Sequence, residues 1–157
     1  MKTNIRIREA VPEDHAEVTA FAFGIMRSVG IEPDPDNIDS ALAKLGKTQG
    51  SLSRDFVAVD RDRPVGAIIL KRISPVVGEV TGFYVRPEYQ GQGIGQRLLN
   101  TALSAAGDAG YEQLVLTTNK NLTVAISLYE SCGWVRQPGK PDNGADYLYA
   151  LDMRRSV

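Results

Sequence analysis

The sequence has few of the residues that most metal and nucleophile chemistry needs. Its 157 residues include one cysteine, Cys132, and one histidine, His15. A lone cysteine excludes an internal disulfide and a thiolate metal cluster. A lone histidine argues against a histidine-based metal site or a histidine-dependent triad, so no metal is expected. No apolar run approaches the ~20 residues that span a bilayer. The opening MKTNIRIREA lacks the apolar region of a secretory signal. A cytoplasmic protein with no membrane partner is therefore expected. Neither sign of charge dominates: 18 Lys and Arg stand against 19 Asp and Glu, for a net charge of −1. That leaves no broad positive footprint for nucleic acid. What remains is ordinary for a globular chain, 43% hydrophobic and 24% charged, and its length predicts a single domain over residues 1–157.

The most informative stretch is Val80 to Leu99, VTGFYVRPEYQGQGIGQRLL. Phe83, Tyr84 and Val85 are the aromatic and β-branched residues that strands favour. Pro87 stops the strand, because proline lacks a ladder donor and fixes φ. Ile94, Leu98, Leu99, Ala102 and Leu103 then recur at helical spacing. A strand, a glycine-rich turn and a helix N-terminus together form an anion site, with free N–H groups at the positive end of the helix dipole. The Walker pattern is absent, and the dinucleotide pattern GxGxxG fails from Gly91, at Gln96, and from Gly93, at Leu98. The pattern [QR]-x-x-G-x-[GA] fits at Gln90, Gly93 and Gly95. In this context it resembles the pyrophosphate-binding motif of the GCN5-related N-acetyltransferases (GNAT), which transfer an acetyl group from acetyl-CoA to an amine.

In chain order, Asn4 to Glu9 alternates as a half-buried strand. Pro12 opens a helix running to about Ser28, with His15 on its surface. Asp36 to Leu45 is predicted as a short second helix. Asp55 to Val59 and Val65 to Ile73 are strands around the turn Asp60-Arg61-Asp62-Arg63, which lacks the usual glycine. Glu79 opens the central strand. After the glycine turn a helix runs to about Ala109, capped by Gly110. Gln113 to Thr118 is a buried strand, Asn121 or Thr123 caps a helix, Trp134 and Val135 start a strand, and Tyr147 to Asp152 is the last. The long meander predicts a mixed sheet. The resemblance implies an α/β (α+β) fold with a mixed, mostly antiparallel sheet flanked by helices. A splayed central strand pair would form the acetyl-CoA site.

Asn121 to Trp134, NLTVAISLYESCGW, carries the resemblance further, through Ala125, Leu128, Tyr129, Gly133 and Trp134. The asparagine usual three residues before the alanine is replaced by Leu122, which Asn119 and Asn121 flank, and by this resemblance Asn121 would be the cofactor contact. The resemblance implies that the pyrophosphate sits on backbone N–H groups of Gly91, Gln92, Gly93, Ile94, Gly95 and Gln96, near Gln90. The pantetheine arm would follow the edge of Phe83, Tyr84 and Val85, because an open strand edge offers donors and acceptors to an amide-rich arm. Gly82 marks either a bulge there or a close packing contact.

By the same resemblance, the Val85 N–H would stabilise the oxyanion and Tyr129 would protonate the departing thiolate. A buried core tyrosine would show the same helical spacing as Tyr129. Alkyl ammoniums lose a proton near pH ~10, so attack needs a base. Glu79 occupies the position the family often uses for it, commonly through water. Cys132 is read as structural. Glu32, Asp34, Asp36 and Asp39 could meet a cationic acceptor, with Asn143, Asp146 and Tyr147 opposite. The expected activity is acetyl transfer to a primary amine, on a small molecule or peptide, by direct attack in a ternary complex. The alternatives are a non-catalytic acyl-CoA sensor and an acyltransferase using a longer acyl-CoA. A homodimer is compatible with the family.

Overall fold

A computed structural model describes residues 4–33, 42, 44–47 and 53–155. Strand β1 is Ile5–Glu9, β2 is Ser53–Asp60, β3 is Arg63–Arg72 and β4 is Val77–Val85. Strand β5 is Gln113–Thr118, β6 is Val135–Arg136 and β7 is Tyr147–Asp152. The helices are α1, His15–Ser28; α2, Ile94–Asp108; and α3, Thr123–Ser131. The seven strands form one sheet in the order β1-β2-β3-β4-β5-β7-β6. Every pairing is antiparallel except β4 with β5. The mixed, mostly antiparallel sheet expected from the sequence is therefore present.

Helices cover both faces of the sheet. Ile94, Leu98, Leu99 and Ala102 of α2 bury one stripe against Phe56, Ile68 and Leu70. On the opposite face Val18, Phe21, Ala22 and Ile25 of α1 pack on Val57, Val59, Ala67 and Ile69. This two-sided cover explains why β3 is buried without a break from Pro64 to Leu70. A strand solvated on one face would alternate.

The start of α1 is held by a partly buried ion pair. Arg8 of β1 donates two hydrogen bonds to Asp14, at 2.8 and 3.0 Å. The Asp14 carboxylate also accepts the Val11 N–H at 2.9 Å. Burial raises the Asp14 pKa, but the Arg8 and Val11 hydrogen bonds outweigh it and leave the pKa below the ordinary value. Pro12–Asp14 forms a separate 3₁₀ turn, so α1 begins at His15 rather than Pro12. Asp55, only 1% exposed, was legible only as part of a strand. It accepts hydrogen bonds from the Gly46 N–H at 2.8 Å and the Ser53 hydroxyl at 2.7 Å.

Other boundaries moved for local reasons. The β2–β3 hairpin has a two-residue loop with both residues at positive φ, Arg61 at 51° and Asp62 at 73°. That is the primed geometry the strand twist requires, adopted here without glycine. Strand β4 begins at Val77, two residues before Glu79, because the preceding turn closes at Ser74 and Val77. Helix α2 ends at Asp108, and Gly110 follows with φ +83°. The N–H groups of Gly110 and Tyr111 then reach the carbonyls of Gly107 and Ala106. Trp134 lies before β6 rather than in it, since its N–H closes α3 on the Tyr129 carbonyl. Most of the expected Asp36–Leu45 helix lies outside the described residues. Among them, Leu42 is helical and 44–47 form a turn.

Two features of β4 shape the middle of the sheet. Its parallel pairing with β5 covers only Val77, Gly78 and Glu79, opposite Gln113, Leu114 and Val115. Beyond them the strands diverge. On the other edge, the register with β3 slips between Ile69 opposite Thr81 and Ala67 opposite Tyr84. Gly82, at φ +57°, supplies the extra residue of this bulge. A Cβ there would also meet Ile69 Cδ1 at 2.7 Å, so both readings of this glycine hold.

Candidate active site

The divergence of β4 from β5 opens a cavity of about 940 Å³ that passes between the two sheet faces. One wall is the edge of β4. The Arg86 N–H donates to the Val65 carbonyl at 2.8 Å, toward β3. Strand alternation turns the Val85 N–H and carbonyl the other way, into the split. The carbonyl accepts a hydrogen bond from Gln90 Nε2 at 3.1 Å. Val85 and Phe83 thus present backbone groups that β5 does not pair.

The mouth of the cavity is the glycine turn. Gly91 and Gly93 both sit at φ +81°, and Gly93 is the residue from which α2 starts. The first intrahelical bond runs from the Arg97 N–H to the Gly93 carbonyl, at 3.1 Å. The N–H groups of Ile94, Gly95 and Gln96 are therefore left for a ligand. Among the described residues, no side chain caps this end. A Cβ on Gly95 would touch Leu128 and Phe83 at 3.4 Å, so glycine here also brings α2 close to α3 and β4. Backbone donors, a helix dipole and a neutral lining suit a pyrophosphate.

Tyr129 stands between these walls. It is 5% exposed and lies 5.9 Å from the rings of Phe83 and Trp134 and 6.2 Å from Tyr149. Gly133, at φ +93°, turns the chain after α3 so that Trp134 packs back on it. Burial, with a smaller contribution from Tyr84, raises the Tyr129 pKa well above the ordinary phenol value. The hydroxyl therefore keeps its proton at neutral pH. It forms no hydrogen bond with another described residue. By contrast, the Tyr149 hydroxyl donates to Glu130 at 2.6 Å, and burial followed by this bond pushes its pKa up to about 12.

The cavity gathers most of the residues expected from the sequence. Phe83, Tyr84 and Val85 line it, as do Gln90, Gly91, Gly93 and Ile94. Gly95, Gln96, Asn121 and Tyr129 also face it, whereas Gln92 and Glu79 are not among its lining residues. Glu79 pairs with Lys71 and Val115 in the sheet, two residues before Thr81, which does line the cavity. Asn121 caps no helix, because Leu122 holds the N-cap position of α3. Its side-chain amide instead donates to the Val29 carbonyl at 3.1 Å and ties the α3 entry to the end of α1.

Cys132 lies outside the lining and contacts Gln96 at 3.4 Å, as a structural cysteine would. Glu32 is exposed and pairs with Arg27 at 3.8 Å, while Asp34, Asp36 and Asp39 lie outside the described residues. Asn143 does line the cavity and donates to the Thr117 hydroxyl at 3.0 Å. Asp146 anchors that loop by accepting the Lys120 N–H at 2.9 Å. Sequence reasoning missed the wall supplied by the end of α1, at Ile25, Met26, Val29 and Ile31. These residues read as an ordinary buried helix stripe. Among the described residues, no three His, Cys, Asp or Glu side chains are placed to hold a metal ion. No described helix is long and apolar enough to cross a membrane.

The chain belongs to the acetyltransferase (GNAT) family, whose model matches residues 28–134. The expected N-acetyltransferase class and acetyl-CoA cosubstrate follow from that membership. The chain is 35% identical over 85 residues to N-alpha-acetyltransferase 30 of Schizosaccharomyces pombe, covering 52% of this chain and 57% of that protein. It is 28% identical over 138 residues to the aminoglycoside N(6')-acetyltransferase type 1 of Stenotrophomonas maltophilia, covering 82% of this chain and 84% of that enzyme. In fold it is similar to a GNAT-family acetyltransferase of Staphylococcus aureus, with a TM-score of 0.85 and 19% identity. That match covers 95% of this chain and 99% of the other.

Proposed function

We propose that this protein transfers an acetyl group from acetyl-CoA directly to a primary amine within a ternary complex. The observation that carries the reading is the split itself. Pairing of β4 with β5 stops at Glu79 and Val115, and the glycine turn and Tyr129 both face the gap that follows. The pyrophosphate binds the N–H groups at the start of α2, and the pantetheine arm extends the edge of Phe83 and Val85. The thioester then lies between the Val85 N–H and the Tyr129 hydroxyl.

The amine nitrogen attacks the carbonyl carbon, and its lone pair forms the new C–N bond. Charge that develops on the carbonyl oxygen is held by the Val85 N–H. As the C–S bond breaks, sulfur takes the electron pair and then the Tyr129 proton, and the nitrogen, cationic once the C–N bond has formed, releases a proton that returns to the Tyr129 oxygen. The proton of the incoming ammonium leaves through water. Glu79, behind Thr81 on β4, is the carboxylate we assign to receive it.

Initial velocities of thiol release, measured with acetyl-CoA and a panel of amines varied together, test this reading. Intersecting double-reciprocal lines are expected. Parallel lines would indicate an acyl-enzyme, with Cys132 the first suspect, and would overturn direct transfer. Tight acetyl-CoA binding without turnover of any amine would instead favour a sensor.

A further inference from the structure

We infer that Asn121 is a positioning residue for the acceptor: it holds the end of α1 to the start of α3 and so fixes the wall that the amine meets. This deepens the proposed function and rests on it. Ile94, Leu128 and Tyr129 lie on the face of α2 and α3, so acetyl-CoA enters there. An acceptor that meets the thioester in the split approaches from the opposite face, past Ile25, Met26, Val29 and Ile31.

The end of α1 is closed by a glycine turn. Gly30 sits at φ +85° and its N–H donates to the Arg27 carbonyl at 3.2 Å. The Ile31 N–H donates to the Met26 carbonyl at 2.9 Å. The helix has no N–H of its own for the Val29 carbonyl, which accepts the Asn121 amide at 3.1 Å instead. Packing anchors α1 through Val18, Phe21, Ala22 and Ile25, which are buried. Val29 and Ile31 beyond them are only half-buried, so one hydrogen bond bears more on their position.

The donor projects from a well-fixed loop. The Asn121 N–H donates to Asn119 Oδ1 at 2.8 Å and the Leu122 N–H to the Asn119 carbonyl at 3.0 Å. This turn leads directly into α3. The Lys120 N–H donates to the Asp146 carboxylate at 2.9 Å, which ties the loop to the approach of β7. Asn121 is thus a post on the sheet side, and the end of α1 leans on it. Without the bond the wall shifts relative to the split, and the amine loses its alignment. The glycine turn at the start of α2 is untouched.

The test is Asn121→Ala in the full chain. The wild type is first run with n-hexylamine, phenethylamine, spermidine, glycinamide and kanamycin, and the amine it uses best is kept. We expect KM for that amine to rise about fivefold, and the calorimetric Kd for acetyl-CoA to stay within about twofold. Hydrogen exchange of the Gly30 and Ile31 N–H groups, followed by NMR, should quicken about fivefold while exchange in α2 is unchanged. Asn121→Asp keeps the shape, loses the donor and should quicken the same exchange. A larger rise in the acetyl-CoA Kd makes Asn121 a cofactor contact and overturns the inference. An unchanged amine KM, or unchanged exchange in either variant, also overturns it, and acetyl transfer stands in each case. If the wild type turns over none of the five amines, both readings fall.

Discussion

Replacing Tyr129 by phenylalanine removes one oxygen from the cavity and little else. The ring keeps its contacts with Phe83, Trp134 and Tyr149, all within 6.2 Å. The hydroxyl that is lost forms no hydrogen bond with another described residue. Deleting a hydroxyl that faces the cavity leaves stability within about 1 kcal/mol, or about 3 °C in Tm for a chain this long. The rate should respond very differently. General acids contribute roughly 10²- to 10⁴-fold. A departing alkyl thiolate, with a thiol pKa near ~8.5, needs less help than an alkoxide would. The lower end of the range therefore applies, about 100-fold in kcat, or about 2.7 kcal/mol in the barrier.

Burial holds the Tyr129 pKa above the ordinary value of about 10. Wild-type kcat should accordingly show no decline from its ionisation between about pH 7 and 10. The assay is thiol release at saturating acetyl-CoA, with calorimetric binding of CoA as the control. A variant that binds CoA normally and loses less than about threefold in kcat would refute the acid assignment.

Gly93→Ala puts a side chain at φ +81° where no atom lies within 4 Å, so any effect comes from the backbone alone. It should cost about 1 kcal/mol in stability and raise KM for acetyl-CoA several-fold as the turn shifts. Asp14→Ala should cost about 2–3 kcal/mol in chemical denaturation, below the ~3–5 typical of a broken buried pair. The discount reflects Arg8, whose side chain keeps 29% of its exposure and can recover water. The folded pKa of Asp14 is lowered, so its contribution is full above the ordinary carboxylate value and is lost as pH falls through the folded one. The gap between wild type and Asp14→Ala should therefore be constant from about pH 5 to 8 and close at lower pH. Arg61→Asn with Asp62→Gly matches the loop to its positive φ values and should raise stability by about 1 kcal/mol in thermal unfolding. The exposed Arg6–Asp62 pair at 3.3 Å is lost in that variant and should contribute little.

What could be read in advance was local and periodic. Gln90, Gly93 and Gly95 stood out as a glycine turn between a strand and a helix, and all three line the cavity. The helical spacing of Val124 to Tyr129 and the alternation in YLYALD carried α3 and β7. What escaped depends on distant partners. The cavity wall at Ile25, Met26 and Val29 has the spacing of any core helix, and only the divergence of β5 turns it toward a cavity. Asp55 and Asp14 look like solvated acids until the fold buries them against Gly46, Ser53 and Arg8. Nothing in the sequence shows that the Asn121 amide reaches the Val29 carbonyl, 92 residues away.

The central claim is that acetyl-CoA threads the gap between β4 and β5. A crystal structure of the enzyme with CoA bound tests it most directly. The account predicts pyrophosphate oxygens on the N–H groups of Gly93 to Gln96, pantetheine amides paired with Phe83 and Val85, and the sulfur within reach of the Tyr129 hydroxyl. A pyrophosphate bound away from the start of α2, or a β5 that zips onto β4 beyond Glu79 and closes the gap, would contradict it.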